Sequence, residues 1–435
     1  PVLIPDNMAN ARLALQFLAP TIFISGILGV FRGYFQAYRN MLPTSISQIL
    51  EQIAVAVVAL VMANVMVNHF ADAEPDVLRS WSAAGATMGT GAGVTAALLF
   101  MLLVYRINKK VIARKIKRDR HSVDESYRDI MKLLVLIVAP IVLSSFLYNV
   151  NGYVNSWIYS GISGFKGMDS NVVEGMYAEF GFFMTIINIP LTLASTAPTS
   201  MIPEVSGCYA TGDIKGAREK IDKATWISMF ISIPCSVGLF ALADPITRLL
   251  FPATEGVAGY LMMLGIITVI MNGMSNISNG VLQGIGKANI PMIHAAAALV
   301  LDVIVVTVLM FVTDWGIYNV VIAMIVYALS MCILNHRAMR KALDYKNPWE
   351  KAYLSPFLAS VPMGIAAFGL YHGIYRAVKG LPAANLIALV PAICIGALIY
   401  FAVYLFIEKP DAEELYGIPF GRKLAAIGKK VHLLK

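Results

Sequence analysis

Charge is scarce in this chain. Only 14% of its 435 residues are Asp, Glu, Lys or Arg, against about a quarter in soluble domains. That scarcity excludes a string of water-soluble domains, each of which would need a charged surface. Cysteine is sparse as well. Cys208, Cys235, Cys332 and Cys394 lie far apart with no CxxC or Cys/His spacing, so the sequence shows neither a thiol metal centre nor a redox pair. The chain opens at Pro1 without an initiator Met or a secretory signal pattern, which reads as a fragment. Long polar segments are missing too, and with them room for a soluble catalytic domain.

What remains is apolar sequence: 58% of residues are hydrophobic and the mean hydropathy is +0.70. A bilayer-crossing helix needs about 20 mainly apolar residues. Eleven runs qualify, at 13–38, 44–68, 81–106, 131–159, 174–204, 224–244, 257–285, 290–312, 316–337, 353–376 and 384–407. The chain therefore reads as an all-α polytopic membrane protein. Lys and Arg collect on the cytoplasmic side of such proteins. With the spans alternating, only six of the 34 basic residues (Arg12, Arg79, Lys166, Arg248, Arg376 and Lys379) fall on one side, leaving 28 for the other. This places the C-terminus in the cytoplasm and residue 1 outside. The net charge of +8 is thus a topology signal, and no nucleic-acid partner is expected. The outer loops, such as 160–173 and 245–256, are too short to fold as a catalytic domain, so no enzyme is expected either.

The sequence repeats itself. Gly33, Gln36, Arg39 and Pro43 are matched by Gly280, Gln283, Lys287 and Pro291, at an offset of 247 residues for the first two and 248 for the others. Both copies end an apolar span on the basic side and lead through a turn to a proline that opens the next. Six helix steps separate them, so the copies point the same way. Such symmetry is how many transporters are built, with substrate held between the halves. The period predicts about 115 residues, or three spans, ahead of Pro1, giving 11 spans present of an expected 14 with the first three missing. The domain reading is a remnant of an N-terminal lobe at 1–105, a basic cytoplasmic loop at 106–130, a six-span lobe at 131–338, two further spans at 339–407 and a basic tail at 408–435.

An ionisable or amide side chain at bilayer depth costs several kcal/mol unless it faces a cavity or a partner. Arg32 and Gln36 sit near the inner end of the first span. A guanidinium there suits phosphate oxygens or anchors the helix at the interface. Glu51, in the second span, reads better as an ion-pair partner of Arg32 or Arg39 than as a proton carrier. Asn272, Asn276 and Asn279 fall at i, i+4 and i+7 and share one helix face, followed by Gln283. Such a face makes interhelical bonds or lines a cavity. Asn188 with Pro190, Pro198 and Pro203 predicts a kinked or broken fifth span. Asp302 is a lone carboxylate in an apolar run. With Asn151 or Asn155 it could hold a hard cation, or it could be merely hydrogen-bonded. Glycines at four-residue spacing (Gly29/Gly33, Gly85/Gly89/Gly93 and Gly280/Gly284) predict close helix contacts. The 422–435 tail mixes basic and apolar residues and could lie on anionic lipid.

The segments RGYFQAYRNMLPTSISQILEQI (32–53), NVNGYVNSWIY (149–159), STAPTSMIPEVSGCYATGD (195–213) and NGVLQGIGKANIP (279–291) carry a family likeness. Over nearly its whole length the chain resembles the multidrug/oligosaccharidyl-lipid/polysaccharide exporter superfamily, in its branch of lipid II flippases and stage V sporulation protein B. The resemblance implies a MATE-like two-lobe fold, alternating access, and a monomer in the bacterial cytoplasmic membrane. It further implies flipping of a lipid-linked, undecaprenyl-pyrophosphate type precursor, with Arg32, Gln36, Glu51, Asn188, Asn272, Asn276, Asn279 and Gln283 toward the substrate cavity. No cofactor is implied beyond Na⁺ or H⁺ coupling, and some relatives hold sodium between the equivalent helices. One departure is that Ala54, Val55 and Ala56 follow the Glu51-Gln52 pair, where the family often has an arginine. A cation-coupled drug exporter of the same superfamily and a truncated, non-transporting chain are the alternatives.

Overall fold

The computed structural model describes residues 11–38, 42–118, 126–252, 254, 256–381 and 383–408. Every regular element among them is helical. Ten helices are long and apolar enough to cross a membrane, and a bent pair makes an eleventh span. The chain divides into two compact units, Pro1–Asp124 and Glu125–Lys435.

The first unit holds three helices: α1 (Ala11–Ala37), α2 (Leu42–His69) and α3 (Pro75–Arg118). Glycine decides how α2 meets α3. A methyl group on Gly89 would lie 2.6 Å from the Ala59 side chain, and one on Gly85 would lie 2.8 Å from the Met62 carbonyl. At Gly93 the added carbon would collide with Val55. The α3 glycine ridge therefore packs directly on α2 backbone. Gly29 and Gly33 do not behave this way; among the described residues no neighbouring atom lies within 4 Å of a methyl group added to either, so the close contact expected there is not seen. Leu28 and Phe35 of α1 instead use their bulk, packing on Val94, Ala97 and Met101 of α3.

The segment 106–130, expected as a loop, is helical at both ends. Helix α3 runs on to Arg118, and α4 (Tyr127–Phe165) opens with the Ser126 side chain accepting from the Arg128 amide. Lys, Arg and Ile are good enough helix formers to carry α3 into water once it has been nucleated in the membrane.

The second unit continues with α5 (Ser170–Ala210), α6 (Ile214–Ala241), α7 (Ala243–Leu250), α8 (Val257–Gly265), α9 (Ile267–Gly284), α10 (Asn289–Val312), α11 (Tyr318–Leu343), α12 (Ser355–Val378) and α13 (Ala384–Glu408). A five-residue π-helical turn, Glu350–Leu354, leads into α12. The early part of α4 is apolar all round, with Leu133, Leu134, Val135, Leu136, Ile137 and Val138 all exposed, as expected of a surface that meets acyl chains.

Two further expectations need correcting. Of the kink or break expected in the fifth span, the break is absent: α5 runs through Pro190, with Thr185 donating to the Gly181 carbonyl at 2.8 Å and Thr192 to the Asn188 carbonyl at 2.7 Å. Such hydroxyls let a membrane helix tolerate proline. The break falls instead in the seventh span, where α8 and α9 meet at 45° around Ile266. There the Phe183 ring presses on Gly265 so closely that no side chain would fit. The stretch read as the outer loop 245–256 also contains most of α7, whose turns are held by the Arg248–Asp244 pair at 2.8 Å.

Candidate functional site

Arg32 and Glu51 meet at the basic end of the first unit. One terminal nitrogen of Arg32 donates to Glu51 Oε2 at 2.7 Å, and its Nε donates to Ser47 Oγ at 2.9 Å. Ser47 in turn donates to the Thr44 carbonyl at 2.7 Å. Both charged side chains are about one-fifth exposed, at 18% and 19%. The bonds use two of the five N–H donors of a guanidinium. Gln36, one turn further along α1, is exposed, and Arg39 lies outside the described residues. In the second unit the matching Gln283 ends α9, donating to Asn279 Oδ1 at 2.9 Å. Each repeat copy thus closes one helix (α1 or α9) and leads to a proline in the first turn of the next (Pro43 in α2, Pro291 in α10).

Asp302 lies inside the second unit. It is fully buried on α10, as are Asn151 and Asn155 on α4. The two amides are joined, with Asn155 Nδ2 donating to Asn151 Oδ1 at 3.1 Å. Both asparagines are close enough to bear on the Asp302 carboxyl, yet neither carboxylate oxygen closes a hydrogen bond of ordinary geometry. The Asn155 carbonyl oxygen and the Tyr327 hydroxyl of α11 are unpartnered as well. Four buried oxygens (two of Asp302, one each of Asn155 and Tyr327) are thus unpartnered, beside the unpartnered Asn151 amide nitrogen, and oxygens are the ligands a hard cation takes. Among the described residues no cluster of three His, Cys, Asp or Glu suits a transition metal.

The remaining candidates are more scattered. Asn272, Asn276 and Asn279 are half-buried on α9, and Asn188 is exposed on α5. Polar groups outside that candidate set are as well placed. Glu179 is buried and accepts from the Ala258 amide at 2.7 Å and the Thr254 hydroxyl at 2.5 Å, so it caps α8 from another helix. Asn335, wholly buried, joins His294 Nδ1 at 2.8 Å across α10 and α11. Only the lack of a partner nearby in sequence could have flagged these residues. An apolar cavity of about 400 Å³ lies between α5, α6, α7, α12 and α13, lined by residues such as Pro190, Pro234, Met363 and Gly396. Its walls carry almost no polar atoms.

Up to eleven helical spans and buried intramembrane polar clusters define a polytopic membrane transporter. Its fold is that of the MATE transporters: a crystal structure of MATE in the bent conformation covers 77% of this chain and 69% of its own, with TM-score 0.56 at 16% identity. The chain itself belongs to the lipid II flippase MurJ family, whose sequence model matches residues 3–405. Stage V sporulation protein B of Bacillus subtilis (strain 168) is 22% identical over 422 residues, 96% of this chain and 78% of that protein. The lipid II flippase MurJ of the same organism is 20% identical over 296 residues, covering 67% of this chain and 53% of its own length.

Proposed function

We propose that this protein moves a lipid-linked, pyrophosphate-bearing cell-wall or polysaccharide precursor from the inner to the outer leaflet of a bacterial cytoplasmic membrane. Translocation proceeds by alternating access, as a monomer with the C-terminus in the cytoplasm and without bond-making chemistry. The observation that carries the reading is the family match along almost the whole chain. The site chemistry supports it. Arg32 is fixed by Glu51 and Ser47 with donors to spare for a diphosphate, and a guanidinium fork suits phosphate oxygens. The apolar cavity beside α12 and α13 suits a prenyl chain, which asks only for dry surface. Within the second unit, Asn272, Asn276, Asn279 and Gln283 on α9 supply amides for a sugar headgroup. Depletion in the host, followed by counting precursor on each leaflet, tests the proposal. Build-up on the inner leaflet is expected. Normal distribution, or export of cationic drugs instead, would overturn it.

Asp302, Asn151 and Asn155 form the coupling site in this reading, binding Na⁺ through the carboxylate and an amide oxygen. Sodium should raise the thermal transition of the purified protein over potassium at equal ionic strength, and Asp302→Asn should abolish the difference. A wild-type transition indifferent to sodium would remove the site.

A further inference from the structure

Asn151, Asn155, Tyr159 and Ser163 recur every fourth residue on α4, so they form one column along the helix, about 18 Å from end to end. All four are buried, at 7%, 3%, 0% and 0% exposure. Each carries a polar atom that closes no hydrogen bond of ordinary geometry: Asn151 Nδ2, Asn155 Oδ1, the Tyr159 hydroxyl and Ser163 Oγ. A polar group buried without a partner is costly in an apolar surrounding. Tyr159 and Ser163 are near enough to bear on each other, as Asn151 and Asn155 are on Asp302, so the column is a continuous polar run whose bonds are left incomplete. Polar sites of this kind are where buried water resides, each molecule satisfying two to four protein groups. The inner end of the column is the Asp302 carboxyl. The other end is the C-terminal turn of α4, the end away from the basic 106–130 segment. There Lys166 reaches the Thr313 carbonyl at 3.0 Å and Asp314 at 2.9 Å, an ion pair in contact with solvent. Val306 and Met310 of α10 are buried in the same cluster as Tyr159, whose ring stacks on Tyr177 of α5.

We infer that this column is a hydrated path by which water and a small cation pass between the α4 C-terminal face and Asp302. The inference deepens the cation-site reading and rests on it only for the identity of the ion. Thiol labelling of the whole protein in proteoliposomes tests it, with Cys208, Cys235, Cys332 and Cys394 replaced and a small, charged methanethiosulfonate reagent added at that face. Ser163→Cys should react at least tenfold faster than Trp157→Cys, which sits on an exposed apolar face of the same helix. Asn155→Cys should also react, and Ser163→Val should slow that reaction at least tenfold. Sodium should slow the labelling of Tyr159→Cys, which removes no proposed cation ligand, but not that of Ser163→Cys. Ser163→Cys reacting no faster than Trp157→Cys, or Asn155→Cys indifferent to Ser163→Val, would overturn the path. Labelling as expected but without sodium protection would keep the path and sink only the sodium assignment.

Discussion

A charged side chain in a greasy helix persists only where something answers it, and Arg32 is answered twice. Removing one partner of a largely buried pair is costlier than removing both, because the survivor stays charged. Arg32→Ala should lower stability by about 2–4 kcal/mol, and Arg32→Ala with Glu51→Ala by less than the sum of the single changes. Thermal melts of the four proteins in detergent give the coupling, and strict additivity would mean that the pair is idle. Arg32→Lys should fold nearly as well yet lose transport, since an ammonium cannot fork onto a diphosphate. The Arg32–Glu51 pairing was legible in the sequence, because both residues lie at the same membrane face. The part of Ser47 was not, since a hydroxyl so close to a helix start bonds its own backbone as readily. Asp302 was conspicuous from the apolar run around it. Tyr159 and Ser163 were hidden, because an aromatic and a serine on a membrane helix need no special reason.

At the scale of the element, spacing alone proved a poor guide to glycine. Gly85, Gly89 and Gly93 are seated against α2, whereas Gly29 and Gly33 share the spacing and meet no such neighbour among the described residues. Sequence gives the ridge but not the neighbour. Gly29→Ala should therefore be neutral or stabilising by up to about 1 kcal/mol, from helix propensity. Gly89→Ala should be destabilising despite the same gain, because its methyl group must displace α2 backbone. Equal effects in a melt would show that α2 and α3 are not in contact as described. Helix α8 depends on another element for its start. Glu179→Ala strips the buried acceptor from its first turn and should cost about 1–2 kcal/mol, with faster amide exchange at Ala258. The existence and order of the spans were readable because twenty-residue apolar runs have few alternatives in a membrane. The break at Ile266 was not, because the ring packed against the adjoining Gly265 sits 82 residues earlier on α5.

For the molecule as a whole, the last two helices are more than an appendage. Trp226 of α6 donates to the Tyr404 hydroxyl of α13 at 2.6 Å, Tyr400 to the Phe230 carbonyl at 2.9 Å, and Asn385 to the Pro245 carbonyl at 3.0 Å. In the connection before α12, Tyr345 is buried and donates to Asn347, with burial first and the Asp222 charge second pushing its phenol well above the usual value. It stays neutral across physiological pH and serves as a fixed strut. Tyr404→Phe, which leaves the Trp226 N–H unanswered, should cost about 1–3 kcal/mol and shift the melt without altering the helix content seen by circular dichroism. Helix α3 has a different consequence. Its 44 residues extend about 66 Å, roughly twice the hydrocarbon thickness of a bilayer. Its last 13 residues, 106–118, make about 20 Å of rod that stands clear of the hydrocarbon like a mast, studded with Arg106, Lys109, Lys110, Arg114 and Lys117. Electron microscopy of the protein in a nanodisc should find this spar outside the lipid belt, a built-in landmark for aligning particles.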